Sequence, residues 1–175
     1  SGTLAYLEGN ADSTFELAWI DRNGRSEKIA APARSYYEPR LSPDGSRIVT
    51  ATRGESPDIF IWDLGRSIES RVTVGDPVDQ YPTWTPDSSE ILFSTETEGQ
   101  FDIYRRRADL TTVAERITNT KESENPLGIA PDGLSLLVHQ FRVNRELLGR
   151  RQLGKDDASA GSAPLTDATF AQRNG

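Results

Sequence analysis

A five-residue step recurs three times at nearly constant distance, and it constrains the fold more than any other feature. Ser42-Pro43-Asp44-Gly45-Ser46 returns as Thr85-Pro86-Asp87-Ser88-Ser89 and as Ala130-Pro131-Asp132-Gly133-Leu134, with prolines 43 and 45 residues apart. Two other elements travel with it. Asp58-Ile59-Phe60-Ile61-Trp62 returns as Asp102-Ile103-Tyr104-Arg105-Arg106, with a worn copy at Glu146-Leu147-Leu148 and an earlier one at Glu16-Leu17-Ala18-Trp19-Ile20-Asp21. Leu4-Ala5-Tyr6 matches Ile48-Val49-Thr50, Ile91-Leu92-Phe93 and Leu136-Leu137-Val138. Four units account for nearly all 175 residues, dividing near 1–33, 34–77, 78–121 and 122–170.

Each unit reads as four short strands, a to d. In the second they are Tyr37 to Leu41, Arg47 to Thr52, Asp58 to Asp63 and Arg71 to Val74. In the third they are Tyr81 to Trp84, Glu90 to Thr95, Phe101 to Arg106 and Ala114 to Ile117. The runs are rich in β-branched and aromatic residues and bounded by Gly, Pro, Asp and Ser. The Pro-Asp-Gly step suits the a–b turn: proline presets the first angle, aspartate bonds its own backbone and glycine accepts a positive φ. No helical periodicity competes. Four-stranded units at this period predict an all-β chain, a β-propeller with four recognisable blades.

Tyr37-Glu38-Pro39-Arg40-Leu41-Ser42-Pro43-Asp44-Gly45 and Tyr81-Pro82-Thr83-Trp84-Thr85-Pro86-Asp87 resemble the TolB-type propeller repeat over the whole chain. The opening Gly2 to Leu7, with Trp19 to Gly24, resembles the propeller region that follows some bacterial serine/threonine kinases. The fourth unit departs, since Asn125 to Ala130 is one residue longer and lacks the aromatic, so that blade is expected to pack less well. The resemblance implies a non-catalytic protein- or peptide-binding scaffold. The alternative is an accessory propeller of such a kinase or of a prolyl-oligopeptidase-like peptidase. It favours a periplasmic or other extracytoplasmic place, with the cytoplasm also open. Family members usually have six or more blades. The chain enters at a strand b and leaves at Phe170 to Asn174, the approach to a further strand a. A segment of a larger propeller is therefore expected, or a homodimer that closes a larger ring, or closure as four blades.

Composition excludes several classes. There is no Cys, so no disulfide framework, cysteine zinc site or thiol nucleophile. The net charge of −7 disfavours nucleic acid. Apolar runs are too short to span a membrane. His139 is the single histidine, expected at the end of a strand b rather than as a base, and no G-x-S-x-G elbow exists. The turn aspartates are spread one per unit and so do not converge on calcium. Arg105, Arg106 and Arg107 read as solvating residues. No cofactor, no metal and no enzymatic activity are expected.

The strand order predicts a binding face. In a meander the b–c and d–a loops share one end. Over residues 33–38, 53–58, 75–80, 96–101 and 118–125 these loops carry nine acids, among them Glu55 and Asp58, against Arg34, Arg53 and Lys121. Their net −6 is most of the charge of the chain. Tyr36, Tyr37, Glu38, Asp79, Tyr81, Glu122 and Glu124 are the candidate ligand residues, for a basic or extended peptide.

Overall fold

The structure, a computed structural model, describes residues 4–9, 14–54, 57–142, 145–153 and 163–164. Ser1 to Thr3, Glu55 and Phe170 to Asn174 lie outside them. The described residues form four antiparallel sheets and no helix. Sheet one is β1 (Leu4–Gly9), β2 (Phe15–Ile20) and β3 (Ser26–Lys28). Sheet two is β4 (Tyr36–Leu41), β5 (Arg47–Thr52), β6 (Ile59–Asp63) and β7 (Ile68–Arg71). Sheet three is β8 (Asp79–Trp84), β9 (Glu90–Thr97), β10 (Gln100–Arg107) and β11 (Glu115–Arg116). Sheet four is β12 (Ser123–Ile129), β13 (Ser135–Arg142), β14 (Arg145–Gln152) and β15 (Ala163–Pro164). Each sheet pairs its strands in chain order, and sheet one begins with the strand matching b. Strands β4, β8 and β12 pack against one another along the inside, while β7, β11 and β15 lie at the outer edge. This is the bladed, propeller-type architecture that the repeat predicts.

The Pro-Asp-Gly step folds as expected. Asp44 accepts from the Ser42 hydroxyl at 2.6 Å and from the Ser46 N–H at 2.9 Å. Asp87 repeats this with Thr85 at 2.6 Å and the Ser89 N–H at 3.0 Å. These bonds, the Ser42 and Thr85 hydroxyls first, hold both carboxyls down at about 2. Gly45 and Gly133 take the left-handed conformation at φ 73° and 71°. Ser88 takes it without being glycine, at φ 60°. Its hydroxyl accepts the Asp44 N–H of the neighbouring turn at 3.1 Å, which offsets the steric cost. Arg47 also donates to the Ser88 carbonyl, at 2.7 Å.

Cores lie between blades. Leu17, Ile29, Tyr36, Ile48 and Trp62 fill the first seam. Val49, Ile59, Ile61, Trp84, Ile91 and Phe93 dominate the second. Leu92, Ile103, Leu136 and Val138 fill the third. Neighbours along a strand thus serve opposite seams, as side-chain alternation requires. Arg106 was expected to solvate the surface. Its guanidinium instead crosses the second seam to the Val72 carbonyl and also bonds Thr112. Arg105 and Arg107 pair at the surface with Glu115 and Asp109.

Three expected placements move. The outer strand of blade two begins at Ile68, three residues before Arg71. The tight turn at residues 64–67, with Ser67 at φ 55°, lets pairing start at once. The β-branched run that suggested a later strand includes Val74, which is exposed. His139 lies inside β13 rather than at its end, with its ring 4.1 Å from that of Phe141. In blade four, register sets Leu147 opposite Gln140, the place that Asp58 takes opposite Thr52 and Asp102 opposite Thr95. The worn copy is therefore offset by one residue from the alignment that put Glu146 there.

Ser88 gives a direct check on the turn. Ser88→Ala keeps the positive φ and loses the bond to the Asp44 N–H, costing about 1 kcal/mol in urea denaturation. Ser88→Gly loses the same bond but relieves the backbone, and its stability falls between alanine and the parent.

Candidate functional site

The inner strands bear the candidate residues near their first turn. Pro39 and Pro82 have no N–H to give to strand b, and a proline inside a sheet is tolerated at a bulge. Register slips at these places, between Tyr37 and Arg40 and between Gln80 and Thr83. The residue before each proline takes the left-handed conformation, Glu38 at φ 52° and Tyr81 at φ 54°. For side chains of this size that costs about 1–2 kcal/mol each. The paired bulges place Tyr37, Glu38 and Tyr81 together across the second seam.

Tyr37 and Tyr81 meet edge to face, with ring centroids 6.3 Å apart at 71°. The Arg53 guanidinium lies 4.4 Å from the centre of the Tyr37 ring. Burial, with Tyr37 and Glu38 adjoining, pushes the Tyr81 hydroxyl up to about 12. Glu38 is half-buried, and its Oε2 is enclosed without a hydrogen-bond partner. Burial raises its carboxyl, and Arg40, the Tyr37 hydroxyl, the Tyr81 N–H and Arg53 pull the other way.

The remaining candidates lie elsewhere. Tyr36 is 1% exposed, and its hydroxyl donates to the Pro32 carbonyl at 2.6 Å and faces Glu69 at 3.4 Å. Arg34 forks onto the same Glu69 at 3.2 and 2.7 Å and stacks over Phe60 at 4.9 Å. Tyr36 therefore fastens the loop leading into β4. Asp79 is buried and accepts from Thr95 at 2.7 Å, and burial raises its carboxyl. Glu124 is fully buried in the third seam, taking Gln140 at 2.5 Å and facing Arg151 at 3.6 Å. Glu122 is half-buried in the loop before β12, where its carbonyl accepts from Thr120 at 2.9 Å.

Burial redistributes the acidic charge of this face. Of the nine acids, Asp58, Asp79 and Glu124 are inside the seams. Asp58 meets Arg71 at 2.5 Å, and Thr73 bonds the Ile59 N–H beside it. Asp102 meets Arg116 at 2.5 Å, with Thr118 on the Ile103 N–H. Glu16 and Lys28, again at 2.5 Å, hold the same two places in blade one. One acid–base clasp between strands c and d thus recurs in three blades. Leu147 ends it in the fourth. Sequence reasoning missed the clasp because the partners stand 12, 13 and 14 residues apart, which breaks the repeat. The charged residues left at the surface of this face are Asp76, Glu98, Lys121 and, half-buried, Glu96 and Glu122 around blades three and four, with Arg34, Arg40, Arg53 and Arg71 on blade two. Among the described residues no three His, Asp or Glu converge as metal ligands, and no helix is long and apolar enough to cross a membrane.

Bulged inner strands, four-stranded blades and the Pro-Asp turn define a TolB-type β-propeller. The TolB beta propeller domain model matches residues 3–172, and the chain belongs to that family. TolB from Acinetobacter baumannii superposes with a TM-score of 0.75 at 23% identity, over 88% of this chain and 40% of that one. A structure assigned to TolB from Agrobacterium tumefaciens gives 0.73 at 19% identity, over 90% of this chain and 59% of that one. An uncharacterized protein of Agrobacterium fabrum is 35% identical over 102 residues, 58% of this chain and 34% of that protein. The chain therefore spans less than two thirds of each of these proteins.

Two measurements check the buried carboxyls. Asp79 holds its proton more tightly folded than unfolded, so its contribution weakens stability as pH rises above its ordinary value of 3.8. Asp79→Asn keeps an acceptor for Thr95. It is expected to melt above the parent near neutral pH and to converge on it in mild acid. Asp102→Ala strands Arg116 and is expected to cost about 2 kcal/mol, below the fully buried range because that arginine is partly exposed. Glu16→Ala breaks an exposed pair and costs under about 1 kcal/mol in the same denaturation assay.

Proposed function

We propose that this chain is a non-catalytic protein- or peptide-binding propeller that takes a basic, extended segment across the end formed by its b–c and d–a loops. The observation that carries this reading is the Arg53–Tyr37–Tyr81 stack with Glu38, set on two strained bulges. Strain of that kind persists where the surrounding structure holds it, and it clusters at binding sites. The tyrosines offer large, stiff contact surface. Arg53 is exposed, and a ligand arginine or lysine takes its place on the Tyr37 ring. Asp76, Glu96, Glu98 and Glu122 steer the cationic segment toward the tyrosines. Asp79 and Glu124 support the face from within the seams. A tyrosine hydroxyl held at about 12 stays protonated, which suits a hydrogen-bonding anchor better than a general base.

A second reading, an accessory propeller beside a peptidase domain, has the support of a fold likeness to a prolyl endopeptidase, with a TM-score of 0.65 at 16% identity over 27% of that chain. The same face serves either role.

The test uses a short Arg-rich peptide and titration calorimetry at two salt concentrations. Tyr37→Ala with Tyr81→Ala weakens binding at least about tenfold. Glu98→Lys with Glu122→Lys weakens it and flattens its salt dependence. Affinity unchanged in both double variants would sink the reading.

A further inference from the structure

The two sides of the Tyr37–Tyr81 stack belong to chain segments that are joined again at Asp79. On blade two, the chain that stacks Arg53 on the Tyr37 ring goes on to Pro57 and Asp58. On blade three, β8 runs from Asp79 through Gln80 to the bulge at Tyr81. The Asp79 N–H donates to the Pro57 carbonyl at 3.0 Å, which ties the two segments across the second seam. Both aspartates are inside, Asp58 at 6% and Asp79 at 4% exposure.

Thr73 reaches both carboxyls. Its hydroxyl accepts the Ile59 N–H at 2.9 Å and stands 3.4 Å from Asp58 Oδ1, and its side chain also bonds Asp79. A hydroxyl has one proton to give, so the second carboxyl contact needs a proton from the acid itself. Charge counting points the same way. Arg71 meets Asp58 at 2.5 Å, while Thr95 gives Asp79 an uncharged donor at 2.7 Å. Other charges nearby are committed elsewhere. Asp102, opposite Thr95, pairs with Arg116, and Glu124 of β12 faces Gln140 and Arg151. Arg106 is spent on the Val72 and Thr112 carbonyls. Glu96 follows Thr95 and so points to the opposite side of β9. Fully ionised, the pair sets two buried carboxylates against the single guanidinium of Arg71. The matching pair in the third seam, Asp102 and Glu124, has two, Arg116 at 2.5 Å and Arg151 at 3.6 Å. Burial raises the Asp79 carboxyl and Asp58 adds to it, while Thr95, Thr73 and Arg71 pull the other way.

We infer that the Asp58–Asp79 pair is a proton-held latch on the Tyr37–Tyr81 site, closed while the two acids share one proton and loosened at the start of β8 when that proton leaves. Tyr81 stands two residues along the strand from Asp79, on a bulge at φ 54° that only the surrounding packing holds. Repulsion between the two carboxylates acts on the Asp79–Pro57 bond, and a released bulge relaxes and draws Tyr81 away from Tyr37. Asp79 holds its proton more tightly folded than unfolded, so the latch is closed in mild acid and opens as pH rises through the folded value. The consequence for binding rests on the peptide reading above; the latch itself belongs to the free protein.

The experiment follows the labelled tyrosine rings of the free 175-residue protein by NMR from about pH 4 to about pH 8. Tyr37 and Tyr81 are expected to shift together, with one midpoint above the ordinary value of 3.8. Asp79→Asn offers Asp58 an uncharged donor, and it is expected to abolish that midpoint and keep the low-pH ring positions throughout. Rings that stay fixed in the parent overturn the inference. A midpoint unchanged in Asp79→Asn also overturns it and assigns the titration to Glu38. Over the same range the Arg-rich peptide is expected to bind the parent at least about threefold more weakly as pH rises, and to bind Asp79→Asn without that loss. Charge alone works the other way, since protons lost from this face strengthen a cationic ligand. Peptide affinity that ignores the ring midpoint overturns the inference and leaves the peptide reading standing. Rings that titrate as expected while the peptide binds at neither end of the range uphold the latch and overturn the peptide reading.

Discussion

Side chains alternate across a strand, so every blade has two apolar faces and no means of burying either alone. The rest of the structure follows from that constraint. Ile48 looks back to blade one and Val49 looks forward to blade three, and both are fully buried because each has a neighbouring blade to face. Specificity at the seams comes from a few directional contacts. Trp84 reaches the Arg40 carbonyl, Ser88 takes the Asp44 N–H, and Arg106 crosses to the Val72 carbonyl. These fix how one blade sits on the next, where apolar packing alone would allow sliding.

Polar groups inside the seams are organised by the same repetition. The clasp of Asp58 with Arg71 and of Asp102 with Arg116 ties the outer strand to its neighbour and satisfies backbone through Thr73 and Thr118. Blade four lacks it and instead buries Glu124 with Gln140 and Arg151.

The sequence was a good guide where the signal was local. The Pro-Asp-Gly turns fold as read, because proline, aspartate and glycine act within five residues. Strand order and the inner place of Tyr37 and Tyr81 also follow from the repeat. Legibility failed where the partner lies on another strand of the same blade, at a spacing that no motif marks. Tyr36, Asp79 and Glu124 read as polar loop-side residues and prove to be packed against Glu69, Thr95 and Gln140. Arg53 counted only as a positive charge, although it stacks on Tyr37. The bulges at Pro39 and Pro82 were visible in principle, since a strand proline needs one.

By itself the sequence determined the period, the strand content and the turn chemistry, hence the family. Those properties arise from short-range preferences that each unit carries complete. The tertiary structure alone decided which acids face solvent and which arginine neutralises which carboxylate. Each of those depends on a partner 12 to 16 residues away on a neighbouring strand of the same blade, and the spacing varies by a residue or two between units. That variation is invisible to a fixed period, yet it moves a side chain from one face of a strand to the other.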